Sequence, residues 1–127
     1  MPATKPSSSN PLVAVSSKKG LDRAAEDLEA AAARHGLTVV AIHDLAPGIR
    51  GCRVYEVCHE GRARMARERQ PDSAVLIPCR ILLNTVDDGT RLVALRPSAL
   101  LGILEGFEDL AEEMTRTIER ALEEAAR

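Results

Sequence analysis

The stretch from Pro71 to Pro97, PDSAVLIPCRILLNTVDDGTRLVALRP, constrains the fold more than any other part of the chain. Two apolar runs flank Asp87-Asp88-Gly89, and an Asp-Gly step supplies the positive φ that a tight hairpin needs. We expect strands near 74–86 and 90–96. The first strand holds Pro78-Cys79, and proline is tolerated in a strand mainly at an edge or a bulge. Strand alternation places Cys79 with Val75, Ile77, Ile81 and Leu83 on a core face, as a small buried hydrophobe. Only a bulge at Pro78 would re-aim Cys79 into a pocket.

Residues 1–11 mix Pro, Ser, Thr and Lys without periodicity and read as a flexible tail before a single domain over 12–127. Leu12 to Ser16 is a short strand. Leu21, Ala24, Ala25, Leu28, Ala31, Ala32 and His35 then follow a helical stripe that Gly36 terminates. Leu37 to His43 is nearly continuous in β-branched and apolar residues, which suggests a strand covered on both faces and closed by Ala46-Pro47-Gly48. GCRVYEVC over 51–58 is the next strand, and Glu60 to Gln70 is a polar surface helix. After the hairpin, Leu100, Leu101, Ile103, Leu104, Phe107, Leu110, Met114, Ile118, Leu122 and Ala125 mark a long amphipathic helix broken near Gly106. The expected class is α+β, in the order β-α-β-β-α-β-β-α, a mainly antiparallel sheet with helices packed on one face.

A chain of 127 residues needs only one core, and with 45% hydrophobic but 2% aromatic residues that core is aliphatic. Tyr55 and Phe107 are its whole aromatic complement, too few to stack bases. The net charge of -2, from 17 basic and 19 acidic residues, draws in neither phosphate backbones nor anionic lipid. No apolar run spans a membrane and no secretory leader opens the chain, so a cytoplasmic protein binding neither nucleic acid nor membrane is expected. Cys52, Cys58 and Cys79 are an odd set, expected as free thiols.

Several short features occur together: His35-Gly36 before a strand, a cysteine segment before a short helix (Cys58 to Met65), the step Ile77-Pro78, Gly89 in a turn, and Pro97 downstream. In these the chain resembles the family of domain of unknown function 302 over residues 12 to 125. The resemblance implies a small α+β homodimer and assigns no activity. The chain departs from the pattern at Cys58-His59-Glu60-Gly61, where many members place a proline.

Chemistry is sought first at Cys58, at a strand end just before a helix whose N-terminus would lower a thiol pKa. If its strand lies beside that of Cys79, the two sulfurs could share a ligand or pair reversibly. His59 and Arg62 complete the candidate ligand-binding set of Cys58, His59, Cys79 and Arg62, with Arg62 or Arg64 able to hold a small anion at the helix start. The cysteines and histidines, His43 and His35 included, lack the spacing of a metal site, and no metal or cofactor is assigned. Glu56 shares its parity with Cys52, Val54 and Cys58, which could turn it inward, yet one carboxylate is no acid/base pair and an edge-strand salt bridge is the expected role. No catalytic residue is assigned. The expectation is a homodimer that binds a small molecule near Cys58 and Cys79 without catalysis. The alternative is a thiol-dependent redox or sulfur-handling protein in which Cys58 attacks and Cys79 resolves.

Overall fold

In the computed structural model, which describes residues 10–45, 51–101 and 104–127, the hairpin forms from β4 (Cys79–Val86) and β5 (Gly89–Leu95). Val86 pairs with Gly89, so the loop is Asp87-Asp88 and the glycine opens the second strand. Gly89 has φ +148°, and a Cβ there would lie 2.1 Å from the Ser17 carbonyl oxygen. The hairpin glycine is therefore required by close approach of β1 (Leu12–Ser17) as well as by its dihedral.

β2 (Thr38–Asp44) and β3 (Cys52–Cys58) complete an antiparallel sheet of five strands in the order β1-β5-β4-β3-β2. The helices are α1 (Leu21–Arg34), α2 (Glu60–Arg69), the short α3 (Pro97–Leu101) and α4 (Glu108–Ala126). The α+β class and the element order follow the sequence expectation. α1 and α4 lie side by side over one sheet face and enclose Val13, Tyr55, Val57, Ile81, Leu83, Leu92 and Ala94. α1 buries Leu28 with Ala24, Ala25, Ala31 and Ala32, and the small alanines let it sit close to α4 and the strands. It stops before Gly36, whose φ of +77° suits a helix exit. A smaller core of Ala66, Leu101, Phe107, Leu110, Ala111 and Met114 ties α2 and α3 to the first half of α4. Cys79 packs against both cores.

Polar groups fasten the edges. The buried Arg96 donates from Nε to the Asn10 carbonyl and from Nη1 to Glu119, each at 2.7 Å, and joins the approach to β1 to α4. Residues 1–9 of the expected tail lie outside the described residues, as do the expected turn at Ala46-Pro47-Gly48 and Ile103 of the helical stripe.

Two expectations are corrected. The first hairpin strand begins at Cys79, because Pro71–Leu76 forms a 3-10 helix after which Ile77–Pro78 is cis. Pro71 suits a helix start, and the Ser73 and Ile77 amides donate locally to Gln70 and Ala74 instead of to a neighbouring strand. Val75 is consequently 84% exposed and takes no part in the face of Cys79. Secondly, β2 is an edge strand with Val40 and Ile42 about half exposed, so the described residues do not cover it on both faces. The register shift lies there, between Val39 and Ala41, and not at Pro78. Glu56 takes the salt-bridge role and not the inward one: Tyr55 and Val57 face the core, and Glu56 meets His43 Nε2 at 2.8 Å and Arg80 Nε at 3.7 Å, although β3 is an interior strand.

Replacement of Gly89 by Ala should destabilise the fold by roughly 2 kcal/mol or more, since strain at positive φ adds to the clash with Ser17. Urea unfolding checks it, and a midpoint equal to wild type would contradict the close-approach account.

Candidate functional site

β3 delivers Cys58 to the end of the sheet next to β4, where Val57 pairs with Cys79. Cys58 is thus one residue out of register with Cys79, on a neighbouring strand. α2 starts two residues later, with His59 as its N-cap: His59 Nδ1 accepts the Arg62 amide at 3.2 Å. A neutral ring that accepts at Nδ1 carries its proton on Nε2. The ring is flanked by glycines, since a Cβ on Gly36 would sit 3.4 Å from Nε2 and one on Gly61 3.5 Å from Cε1. Here His59 is a cap packed against the exit of α1.

Arg62 is drawn toward α4. Its Nη1 donates to Thr117 Oγ1 at 2.5 Å and approaches the Glu113 carbonyl at 3.5 Å, while Nε lies 3.6 Å from the Glu113 carboxylate. Cys58, His59, Arg62 and Cys79 do line one crevice, together with Met114 and Ile118. Its free volume is about 10 Å³, space for about one water and no more. The residues expected to bind a ligand are together, but as parts of a packed junction.

Room for a ligand lies on the other side of Cys58. A groove of about 440 Å³ is lined by Cys58, Val40 and Pro78 and by Glu60, Arg64 and Arg67 of α2. A second hollow, of about 570 Å³, spreads over the sheet face opposite α1 and α4, between Val54, Leu82, Leu95 and Val75. Ile77 borders the crevice, the groove and the hollow. Of the groove residues, the sequence points to Cys58 and Arg64 as ligand contacts and to Pro78 as a candidate bulge; Val40, Ala74 and, as a ligand contact, Arg67 are not singled out by it. The signal available for Arg67 was spacing, because Glu60, Ala63, Arg64 and Arg67 fall on one helical face.

Neither thiol is activated. Burial pushes Cys58 up first, and the Glu60 carboxylate adds to this while Arg67 opposes it. The expected lowering by the helix N-terminus is therefore overturned: His59 occupies that terminus as cap, and an acidic residue opens the helix. Cys79 is pushed up to about 11, by burial and then by the neighbouring Cys58. All three cysteines are free thiols. Among the described residues, no three His, Cys, Asp or Glu side chains gather as a metal site would require, and no helix is long and apolar enough to cross a membrane.

Both thiols should react slowly with an aromatic disulfide at neutral pH and faster as pH rises. Linkage gives a second check. The unfolded Cys79 thiol ionises near 9.0, while the folded one keeps its proton to about 11, so the folded state holds more protons in that window and stability falls as pH rises through it. In Cys79→Ala the fall measured by urea unfolding should be shallower, with Tyr55, pushed up to about 12 by burial and by its bond to Glu29, still contributing. Equal slopes in both proteins would contradict a buried, protonated Cys79.

A crystal structure described as that of an uncharacterized conserved protein DUF302 from Bacillus stearothermophilus shares this fold, with a TM-score of 0.85 at 16% sequence identity over 93% of this chain and 99% of that one. No curated protein matches the sequence. The family model described as "Domain of unknown function DUF302" matches residues 13–125, and the chain belongs to that family.

Proposed function

We propose that this protein is a non-catalytic binding module for a small molecule, seated in the groove beside Cys58. The observation that carries this reading is the groove itself: about 440 Å³, within the size range of small-molecule sites, with an apolar floor and a charged rim. The tight crevice shared by Cys58, His59, Arg62 and Cys79 acts as its rigid back wall. His59 and Arg62 serve the ligand by fixing α2 against α4, and Cys58 meets it directly. Three free thiols suit a reducing compartment, which agrees with a cytoplasmic setting.

The reading includes a two-fold homodimer. Paired residues Val54, Leu82 and Val93 cross the sheet on the face turned away from α1 and α4, and Leu12 and Leu95 extend the row at about 40% exposure. An apolar sheet face of this kind buries well against a second copy of itself. A thiol-exchange role is the weaker reading. Its support is the neighbouring placement of Cys58 and Cys79, but attack requires a thiolate and both thiols are shifted toward the protonated form.

A fragment screen read by amide chemical shifts tests the groove. Binders should move Val40, Cys58, Ala63 and Ala74, and Ala74→Trp, which fills the groove from the exposed 3-10 helix, should abolish those shifts while the rest of the spectrum is kept. A screen in which no fragment moves those amides would refute the module. For the dimer, light scattering should give twice the monomer mass in wild type and the monomer mass in Leu82→Glu; a monomeric wild type would refute it.

A further inference from the structure

α2 carries arginines at 62, 64, 67 and 69, and helical geometry divides them between two faces. Positions 62, 66 and 69 turn toward α4. There Ala66 is fully buried, Arg62 bonds Thr117, and Arg69 forms a paired contact with Asp109 at 2.9 and 3.2 Å while its guanidinium lies over the Phe107 ring. Both of these cations are committed to the fold. Positions 60, 63, 64 and 67 turn toward the groove, and all four line it. Arg64 and Arg67 are exposed, and among the described residues neither makes a hydrogen bond or ion pair. Two guanidinium groups therefore stand free at the rim of a cavity in which, among the described residues, Glu60 is the one acidic side chain.

The rest of the lining is apolar. Val40 is 53% exposed at the register shift of β2, and Ala63, Ala74, Ile77 and Pro78 form the floor with Cys58. A solvent-facing apolar floor next to uncommitted arginines matches a ligand with one acidic end and one greasy end.

We propose that the ligand of this groove is an amphiphilic monoanion, with an acidic head held by Arg64 and Arg67 and an apolar tail lying along Val40, Ile77 and Pro78. The inference rests on the groove reading above and adds the ligand's chemistry. One net positive charge at the rim balances a single negative head. The guanidinium fork suits a carboxylate, which it can hold through two parallel hydrogen bonds. Nucleotides are poorly matched: Tyr55 and Phe107 are 1% and 2% exposed, so no aromatic platform faces the groove. A bare inorganic anion would leave the apolar floor unused. The protonated Cys58 presents a neutral sulfur that does not repel the head.

The test titrates the full chain with octanoate, 1-octanol and inorganic phosphate, and follows the Val40, Ala63, Ala74 and Ile77 amides. Octanoate should saturate these shifts, 1-octanol should bind about tenfold or more weakly, and phosphate should leave them unmoved. The Arg64→Gln, Arg67→Gln double variant removes exposed side chains without fold contacts. It should keep the wild-type circular dichroism, weaken octanoate by about tenfold or more, and leave 1-octanol unchanged. Equal binding of octanoate and 1-octanol, or an unchanged octanoate affinity in the double variant, overturns the anion assignment and leaves the small-molecule groove standing. Phosphate binding as strong as octanoate overturns the amphiphile. If octanoate and every fragment leave the groove amides unmoved, the binding module falls and this inference with it.

Discussion

Coverage of the sheet on one side only is the constraint from which the rest of the molecule follows. Five antiparallel strands offer two faces, and the two long helices, α1 and α4, pack against each other over one of them. Their apolar stripes fill that face with fully buried Leu28, Ile118 and Leu122 against Ile81, Leu83 and Leu92. Among the described residues nothing of comparable length covers the other side. α2 is polar and short, and it sits at one end of the sheet, where it shares a second, smaller core with α3 and the start of α4. The site region lies where the larger core gives way to the smaller one.

This junction explains why residues that look chemical behave as structure. Cys79 packs against both cores, His59 caps α2, and Arg62 braces α2 to α4. Each is held by several neighbours at once, which leaves a crevice hardly larger than a water molecule. The same bracing keeps α2 fixed with its other face outward. A rigid wall with free arginines beside an apolar floor is a better binding surface than a loop of the same composition, because less order has to be created when a ligand arrives.

Much of the fold was legible in the sequence. The hairpin, the stripe of α1 with its stop at Gly36, and the break before α4 near Gly106 all follow from periodicity and turn chemistry, which act over a few residues. The misread elements are those in which local and distant demands compete. Residues 74–76 are apolar enough for a strand, yet Pro71 and local amide bonds turn them into a 3-10 helix. The apolar run of β2 suggested two-sided cover, yet β2 ends at the sheet edge because strand order is a property of the whole assembly.

Spacing along the chain sets the class of fold and the element order, whereas Cys58, His59, Arg62 and Cys79 meet because β3 pairs with β4 and α2 packs against α4. What that meeting point can do follows from the packing around it. Whether a thiol is reactive depends on the burial and charges around it, and here burial and Glu60 outweigh the helix end that adjacency in sequence had suggested. Whether an arginine is available depends on which acceptors fold against it. Thr117 and Asp109, far along the chain on α4, engage Arg62 and Arg69 and leave Arg64 and Arg67 facing the groove.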